Sequence, residues 1–522
     1  MHVGGNPWRI GGFEIDLTRR FGIDSRSLGL FRIGLAFVVL WDLCARATDL
    51  TAHYTDRGVL PLAHLSKYYQ DTHLLSFHTI SGSWEWQAFL FGLCACSSLC
   101  LLIGFKTKVA TAFTWALTIS LHLRNPTVLD SGDTLLVLLL FWGMLLPLGR
   151  RFSVDRRKPK PRPAAGGGGG EPVFSFATAG LLLQVAFMYV FTVLWKLDST
   201  WISDGTAVHL ALQLDRFATP LGVWLRETPE PVLELLTFST IGWEALGPIL
   251  ALFFPWAFGP VRTGTVFGFV LLHVGIGASL ALGIFPLVSI VGWIPFLPKW
   301  FWETARKTLP GRVAAPSGKK SEGPLRLGFG PRPVRQNAFV NAVACLAIFY
   351  VLAYNIYDLD SSYTEPFNEA FEPLAPYGRV AHLSQSWGMF APYPSLVDGW
   401  FIAQGTLKNR QKVNLFSKET PLSGEKPPQV ARTYKNTRWR NYLGGSILQG
   451  GAEHLQLPFS TFLWRRWNRN HRPEQHLSKL TLLIAWEDTK MNGEVKPVKV
   501  RRANQIKSPT DSSGADLEVY EY

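Results

Sequence analysis

The sequence predicts a polytopic α-helical membrane protein with about eight or nine transmembrane helices and a C-terminal, extracytoplasmic, mainly β soluble domain. Of its 522 residues, 47% are hydrophobic and only 17% are charged, against about 25% charged in ordinary globular proteins. Apolar stretches long enough to cross roughly 30 Å of hydrocarbon recur through the first two thirds of the chain. Polar and apolar residues then alternate in short stretches, which is typical of strands.

The apolar stretches place the predicted spans at residues 28–47, 86–105, 109–123, 134–149, 176–197, 232–256, 263–282, 284–298 and 337–355. A short polar turn from Arg124 to Asp133 separates the third span from the fourth and predicts a helical hairpin. The stretch 284–298 could instead be re-entrant.

The spans divide the chain into a cytoplasmic N-terminal segment (1–26), a helical bundle (27–300), a basic cytoplasmic linker (301–336), a last transmembrane helix (337–356) and an extracytoplasmic soluble domain (360–522). Within the bundle, residues 158–172 are rich in proline and glycine and predict a flexible linker, because such a composition cannot pack a core. The polar start of the chain predicts no cleaved signal peptide.

The distribution of basic residues predicts the orientation in the membrane. The formal net charge is +14, and lysine and arginine concentrate at 106–108, 150–162 and 299–335, while the alternate loops carry only scattered basic residues. Since cytoplasmic loops are enriched in basic residues, nine spans with a cytoplasmic N-terminus place the C-terminal domain outside. No nucleic-acid-binding motif accompanies this charge, so the predicted partner is the lipid bilayer.

Strand-like stretches in the tail lie at residues 400–407, 412–416, 480–486 and 495–500, with turns at Asn409-Arg410 and Met491-Asn492-Gly493. Residues 441–468 look more helical or irregular. The basic stretches 435–440 and 464–469 contain tryptophan and are interpreted as solvated surface, with lipid headgroups or an acidic polypeptide as the alternative contacts. All five cysteines lie in predicted spans, so no disulfide framework is expected.

Ionisable residues inside a bilayer are costly and are therefore candidates for function. Lys196 ends one predicted span, Glu244 lies within the next, and His273 lies in the middle of a third. A partly desolvated lysine can act as a general base, although an interfacial lysine reaching toward lipid headgroups explains the same position. An imidazole in the membrane needs a partner, for which Glu244 is a candidate, and a hydrogen bond without catalysis satisfies it equally well.

Two other polar groups have structural interpretations. Asp42 and Arg46 lie one helical turn apart and predict a local ion pair. A turn that contains His122, Asn125, Asp130 and Asp133 has no defined ligand spacing, so no metal site is predicted. The chain contains no nucleotide-binding loop, nucleophile elbow or zinc signature.

Four motifs together resemble the HTTM family, the horizontally transferred transmembrane domain that vitamin K-dependent gamma-carboxylase shares with many uncharacterised bacterial membrane proteins. They are Ser27-Leu-Gly-Leu-Phe-Arg-Ile-Gly-Leu, Tyr54-Thr-Asp-Arg-Gly-Val-Leu-Pro61, Lys196-Leu-Asp-Ser-Thr-Trp201, and His273 followed by Gly283-Ile-Phe. The resemblance spans roughly residues 20 to 300, and the string Gln385-Ser-Trp-Gly-Met-Phe-Ala-Pro-Tyr-Pro394 resembles the bacterial members. It implies a location in the bacterial inner membrane.

The resemblance to the carboxylase implies a catalytic role for Lys196, as the base that deprotonates reduced vitamin K, and for His273. Oxygen and carbon dioxide would be co-substrates, and an extracytoplasmic polypeptide would be the substrate. On the same and neighbouring segments, Gln184, Tyr189, Trp201 and Glu244 are the candidate cofactor-binding residues.

The chain departs from the carboxylase at two of its motifs. Trp195-Lys196 stands where the carboxylase has paired lysines, and Arg124-Asn-Pro-Thr stands where it has an Asn-Asn-His turn. The competing hypothesis is a non-catalytic membrane scaffold, or a peptide maturation or export factor, that presents its C-terminal domain outside the cytoplasm.

Overall fold

The computed structural model describes residues 8–10, 13–15, 17–69, 76–155, 172–254, 258–308, 337–359, 365–417 and 420–508. The predicted linker at 158–172 lies outside the described residues except at its last position. Most of the predicted basic linker, residues 309–336, lies outside them as well.

Nine helices of the described chain form the bundle and are numbered here α1 to α9. They are α1 Ser25–Ala47, α2 Trp84–Ile103, α3 Thr107–Arg124, α4 Ser131–Met144, α5 Phe176–Trp195, α6 Glu230–Phe253, α7 Phe258–Ser279, α8 Phe285–Trp293 and α9 Ala338–Asp358. Each corresponds to one predicted span. Six of them are long and apolar enough to cross a membrane, whereas α4 and α8, with its 3-10 extension Ile294–Phe296, are shorter apolar helices.

Local signals in the sequence set the helix ends. Asp24 caps the start of α1 by accepting a hydrogen bond from the backbone of Arg26, and Asp130 with Asp133 forms a capping box at α4. Gly104, with a φ of 71°, closes α2 in the left-handed conformation that glycine adopts without strain. Helices α3 and α4 pack against each other on either side of the short turn, which confirms the predicted hairpin.

The bundle core is continuous across its helices. Helix α1 packs against α2 and α8, α5 packs against α6 and α9, and α7 packs between α6 and α8. Glycines allow close approach, since a Cβ on Gly180 would lie 2.1 Å from the Trp142 ring. The short helix Lys299–Thr308 follows at the same end of the bundle as the start of α1, where Trp302 donates to Ser27.

The C-terminal domain contains a four-stranded antiparallel sheet with the order β2-β1-β3-β4. Its strands are β1 Val397–Leu407, β2 Lys412–Asn414, β3 Leu477–Asp488 and β4 Lys499–Lys507. The predicted turns at 409–410 and 491–493 and the helical region at 441–468 are confirmed, the latter as Asn441–Gln449 and Gln456–Arg469. The fourth strand begins at Lys499 rather than at residue 495, because the stretch before it makes only a single bridge, Thr489 to Val495.

Short elements complete the described chain. The α-helices are Leu17–Phe21, Leu50–Tyr54, Leu62–Tyr68, Ser199–Ile202, Ala207–Leu212, Pro220–Arg226, Glu365–Phe371, Ala375–Ala381, Val430–Thr433 and Thr437–Arg440. The 3-10 turns are Phe77–Thr79, Pro126–Val128, Leu148–Arg150, Glu372–Leu374, Glu453–Leu455 and Pro473–Gln475, and short strands pair Trp8–Ile10 with Phe13–Ile15 and Ile23–Asp24 with Pro172–Val173.

The C-terminal domain lies against one end of the bundle. It contacts the end of α1, the α3–α4 turn and the segment after α7, through Arg438 to Asp42, Asn441 to Val128 and Arg440 to Ala281. The basic residues Lys106, Lys108 and Arg150 lie at the opposite end, where α2, α4 and the start of α3 meet. The chain is thus an integral membrane protein whose sheet domain and basic loops lie at opposite ends.

Candidate functional site

Lys196 and Glu244 form an ion pair buried in the bundle. The Lys196 Nζ donates to Glu244 Oε2 at 2.8 Å, and both residues are buried, with exposures of 4% and 6%. The Trp201 ring covers the ammonium, with its centroid 4.2 Å from Nζ. The structure therefore contradicts the interpretation of Lys196 as an interfacial side chain that reaches lipid headgroups.

The motif Lys196-Leu-Asp-Ser-Thr-Trp201 builds this arrangement locally. Lys196 is the C-cap of α5, and Asp198 then caps the short helix Ser199–Ile202 by accepting hydrogen bonds from Thr200. This single turn carries Trp201 back over the lysine. The indole N–H of Trp201 donates to the carbonyl of Phe390 at 3.1 Å, so a C-terminal segment fixes the ring.

His273 on α7 pairs with Tyr189 on α5 rather than with Glu244, which Lys196 already occupies. The Tyr189 hydroxyl lies 2.6 Å from His273 Nε2 and accepts a hydrogen bond from Trp293 Nε1 at 3.0 Å. His273 Nδ1 is buried and has no hydrogen-bond partner among the described residues. Phe269 stacks on Trp293 with ring centroids 4.0 Å apart and completes an aromatic wall.

These groups share one region of the bundle. Lys196 ends the helix that carries Tyr189, and its ammonium lies near enough to His273 to act on it electrostatically. We call Lys196, Glu244, Tyr189, His273 and Trp201 the intramembrane polar cluster. One carboxylate, one amine and a tyrosine–histidine pair can together hold and move protons.

Gln184, the remaining predicted site residue, belongs to a different contact. Its amide nitrogen donates to Gln385 at 2.6 Å, and its oxygen accepts from Trp142 at 3.3 Å. Gln385 also accepts from Trp387, which is fully buried. Gln184 thus anchors the C-terminal segment 385–394 in the bundle, a contact that periodicity of the spans could not reveal.

Arg438 was missed by the sequence analysis, which placed residues 435–440 on a solvated surface. Its guanidinium enters the bundle end, contacts both carboxylate oxygens of Asp133, and donates to Asp42 at 2.7 Å. Arg46 completes the network through Asp42 at 2.6 Å and Asp133 at 2.5 Å. The predicted pair of Asp42 and Arg46 is confirmed as part of this four-residue network, which joins the two domains.

Asp42, His122 and Asp133 place potential ligand atoms within 4.8 Å of one another. Both carboxylates already bind arginines, however, and the two guanidiniums supply the positive charge that a cation would otherwise bring. These carboxylates therefore belong to a salt-bridge network.

A second buried charge group joins the sheet to the segment before α6. Asp398 on β1 accepts from the backbone and side chain of Arg216, both at 3.1 Å. Asp215 and Glu487 lie beside it and share Lys426, each at 2.5 Å. Burial, only partly offset by Arg216, raises the pKa of Asp398 to about 6.

This raised pKa predicts a pH dependence of stability. Asp398 binds its proton more tightly folded than unfolded, so its contribution is full below pH 3.8 and is lost as the pH rises through about 6. Thermal unfolding of the parent and of Asp398→Asn, followed from pH 4 to 7, should show the parent losing up to about 3 kcal/mol relative to the variant. Parallel profiles would show that Asp398 titrates normally.

Comparison with known proteins gives one match. The sequence model of the family described as HTTM domain matches residues 22–300, which include α1 to α8 and every member of the intramembrane polar cluster. No curated protein and no solved structure matches the chain.

Proposed function

This chain belongs to the HTTM-domain family, and on that premise we propose that it is a carboxylase-like membrane enzyme in which Lys196 and Glu244 accept a proton from a quinol-like lipid. The observation that carries the proposal is their ion pair, buried within the bundle together with His273. Charged groups are costly in a bilayer, so a charged pair that is kept there is a candidate for function.

The pair handles protons as a unit. Because Lys196 donates to Glu244, a 2.8 Å hydrogen bond joins the ammonium to the carboxylate and gives a proton a path between them. An ionised carboxylate has several acceptor positions, so Glu244 can take up a further proton while Lys196 stays cationic and stabilises the anion that is left. Lys196 itself acts as the base in the state in which its own proton has passed to Glu244.

His273 supplies a hydrogen-bond donor for the hydroxyl of the quinol-like lipid. Trp293 can only donate, so the Tyr189 oxygen accepts from it, and in the His273 tautomer with an unprotonated Nε2 the tyrosine O–H donates to that nitrogen. A neutral imidazole then carries its proton on Nδ1, which is buried and without a partner in the described chain. Tyr189 is accordingly a positioning residue for His273.

These residues suit a quinol-like group in their chemistry. Lys196, Glu244 and His273 would hold its hydroxyl, and the aromatic rings of Phe269 and Trp293 pack beside Tyr189 in the same region. When bound, such a group would supply a weakly acidic hydroxyl and the electrons for reaction with oxygen. Trp201 shields the pair from water by lying over the ammonium.

We further propose that the protein lies in a bacterial inner membrane with its C-terminal domain outside the cytoplasm. Lys106, Lys108 and Arg150 lie at the end of the bundle opposite the sheet domain, as expected if that end faces the cytoplasm. The intramembrane polar cluster then lies toward the external half of the bilayer, where a polypeptide substrate would be presented.

A second candidate function is a non-catalytic scaffold, or a peptide maturation or export factor. The observation that favours it is the buried network of Arg438, Asp42 and Asp133, which holds the sheet domain firmly on the bundle. A scaffold that only holds the sheet domain on the bundle requires no proton-accepting pair inside the membrane. The two functions therefore differ in what loss of Lys196 does.

The test is carboxylation of a glutamate-containing peptide by the purified protein with reduced vitamin K, oxygen and labelled bicarbonate. The parent should incorporate label, and Lys196→Met and Glu244→Gln should each lose at least a hundredfold in rate, because the proton acceptor or its charge partner is gone.

The matched control is Lys299→Met, which removes an equivalent lysine from an exposed pair with Glu303 and should leave the rate unchanged. Folding of each variant is checked by its elution in size-exclusion chromatography. No incorporation by a folded parent that binds reduced vitamin K would contradict the carboxylase proposal and favour the scaffold.

A further inference from the structure

One edge of the C-terminal sheet is long and has no neighbouring strand in the described chain. The sheet has the order β2-β1-β3-β4, so β2 and β4 are its two edge strands. Strand β2 has three residues, whereas β4 has nine. A short edge strand offers little backbone for pairing, but a long one presents a row of N–H and C=O groups on which a further strand can form.

The first half of β4 is open on both faces of the sheet. Residues 499–502 are all exposed, although neighbouring side chains of a strand point to opposite faces. Residues 503–506 are half-buried, and Lys507 at the end of the strand is exposed again. The outer edge of β4 is therefore accessible to a further segment of chain.

This edge is basic. Strand β4 contains four basic residues and no acidic one. Two of the four, Lys499 and Arg501, pair with carboxylates of the described chain. For Arg502 and Lys507, no carboxylate of the described chain lies within ion-pair distance, and Arg502 contacts Gln505. Basic side chains on an edge strand discourage pairing with most other chains, and the same charge favours a strand that is acidic.

The sequence that follows β4 has the composition of such a strand. Residues 509–522 lie outside the described residues, and they contain four acidic residues and no basic one. The stretch Leu517-Glu-Val-Tyr-Glu-Tyr522 combines carboxylates with valine and tyrosine, which favour strands. The stretch Pro509-Thr-Asp-Ser-Ser-Gly-Ala515 before it is rich in residues that form turns.

We propose that residues 516–522 pair with β4 as a fifth, antiparallel strand and close this edge of the sheet. One regular register provides a carboxylate for both basic residues that have none. In this register Asp516 lies opposite Lys507. Five positions further along both strands, Glu521 lies opposite Arg502.

The ladder hydrogen bonds hold this strand, and the charges select its register. Ion pairs at exposed positions contribute little stability, but opposite charges directly across two strands favour one alignment over others. The connection would be residues 508–515, and the entropy cost of closing a loop rises only slowly with its length. Because the segment is covalently joined to β4, its effective concentration at the edge exceeds that of a separate acidic chain. The proposal does not depend on the function of the intramembrane polar cluster.

Amide hydrogen exchange of the full-length protein in nanodiscs, followed by mass spectrometry, tests the pairing. Removal of residues 509–522 should speed the exchange of the outward-facing β4 amides by at least about tenfold, because these N–H groups lose their acceptors. Exchange in β1 should stay unchanged and shows that the sheet remains folded. A synthetic peptide of residues 509–522 should restore protection to the shortened protein, whereas a scrambled peptide of the same composition should not.

Reversal of one charge pair tests the register. Arg502→Glu and Glu521→Arg should each speed the exchange of β4, and the double variant should restore it, since the opposed charges are re-formed with their signs exchanged. Lys490→Glu combined with Glu521→Arg is the matched control and should not restore it, because Lys490 is exposed elsewhere on the domain, in a pair with Glu494.

Equal exchange of the β4 amides with and without residues 509–522 would overturn the proposal. If β4 is protected in both proteins and loses that protection on dilution in detergent, a second copy of the chain covers the edge instead. Failure of the double variant to restore protection, with both single variants exchanging faster, would overturn the register.

Discussion

Replacing Arg438 with methionine is expected to lower the free energy of unfolding by about 3–5 kcal/mol and to release the C-terminal domain from the bundle. The change leaves Asp42 and Asp133 buried beside each other with Arg46 as their remaining cation. The free-energy cost of removing these two carboxylates from water is then not fully offset. Loss of one member of a buried ionic network therefore costs more stability than the intact network contributes. Limited proteolysis of the full-length protein measures the release, and thermal unfolding measures the loss.

The matched control is Lys435→Met, three residues earlier. Lys435 also reaches the bundle, through Asp49 at 2.8 Å, but its side chain is 52% exposed. Solvent screening limits such a pair to roughly 0–1 kcal/mol. Equal proteolytic resistance of the parent and Arg438→Met would mean that the network does not hold the domains together.

The second large effect is expected at the intramembrane pair, as a strongly non-additive cycle. Lys196→Met and Glu244→Gln should each destabilise the protein by about 3–5 kcal/mol, because each leaves a buried charge without its partner. The double variant removes both charges and should be more stable than either single variant. Unfolding in a detergent mixture, followed by tryptophan fluorescence, measures the three values against the parent.

The same cycle at Lys299 and Glu303 provides the control. These side chains pair at 3.4 Å but are 60% and 54% exposed, so the coupling there should be within about 0.5 kcal/mol of zero. Additive effects at Lys196 and Glu244 would contradict a direct pair. A stable double variant without activity would separate the catalytic role of the pair from its structural one.

Hydropathy predicted the position of every helix of the bundle, but only six of the nine are long and apolar enough to cross a membrane, against the eight or nine spans expected. The predicted span 28–47 is α1, Ser25–Ala47, whose earlier start is explained by the Asp24 cap. The stretch 284–298, interpreted as a span or a re-entrant segment, forms the short helix α8 and a 3-10 turn. Alternating patterns predicted the first three strands of the sheet, whereas the predicted stretch 495–500 overlaps the fourth strand, Lys499–Lys507, at only two residues.

The free-energy cost of placing a polar residue in a bilayer was enough to select the candidate site residues. It did not predict which residues they contact. Lys196 and Glu244 were both selected, whereas their contact depends on the packing of α5 against α6. Glu244 on α6 was the candidate partner of His273, which instead forms a hydrogen bond with Tyr189 on α5. Both helices carry a polar side chain that could pair with His273, and the periodicity of the spans does not distinguish the two. The Asp198 cap that positions Trp201 is a local signal, but the sequence analysis did not use it.

Long-range partners explain the main errors. Arg438 lies in a stretch that is polar by composition, and nothing local indicates that it pairs with Asp42, 396 residues earlier, and with Asp133, 305 residues earlier. The contact of Gln184 with Gln385 of the C-terminal segment was likewise not predicted, while a cofactor-binding role for Gln184 stays a prediction. Each of these contacts crosses between the bundle and the tail, where sequence spacing carries no information.

Proton uptake by the Lys196–Glu244 pair is the central claim, and infrared difference spectroscopy on addition of reduced vitamin K measures it most directly. The parent should gain a protonated-carboxyl band that shifts when glutamate is carbon-13 labelled and is absent from Glu244→Gln. If the parent binds reduced vitamin K, as verified separately, but gains no carboxyl band, the claim that this pair accepts the proton is contradicted.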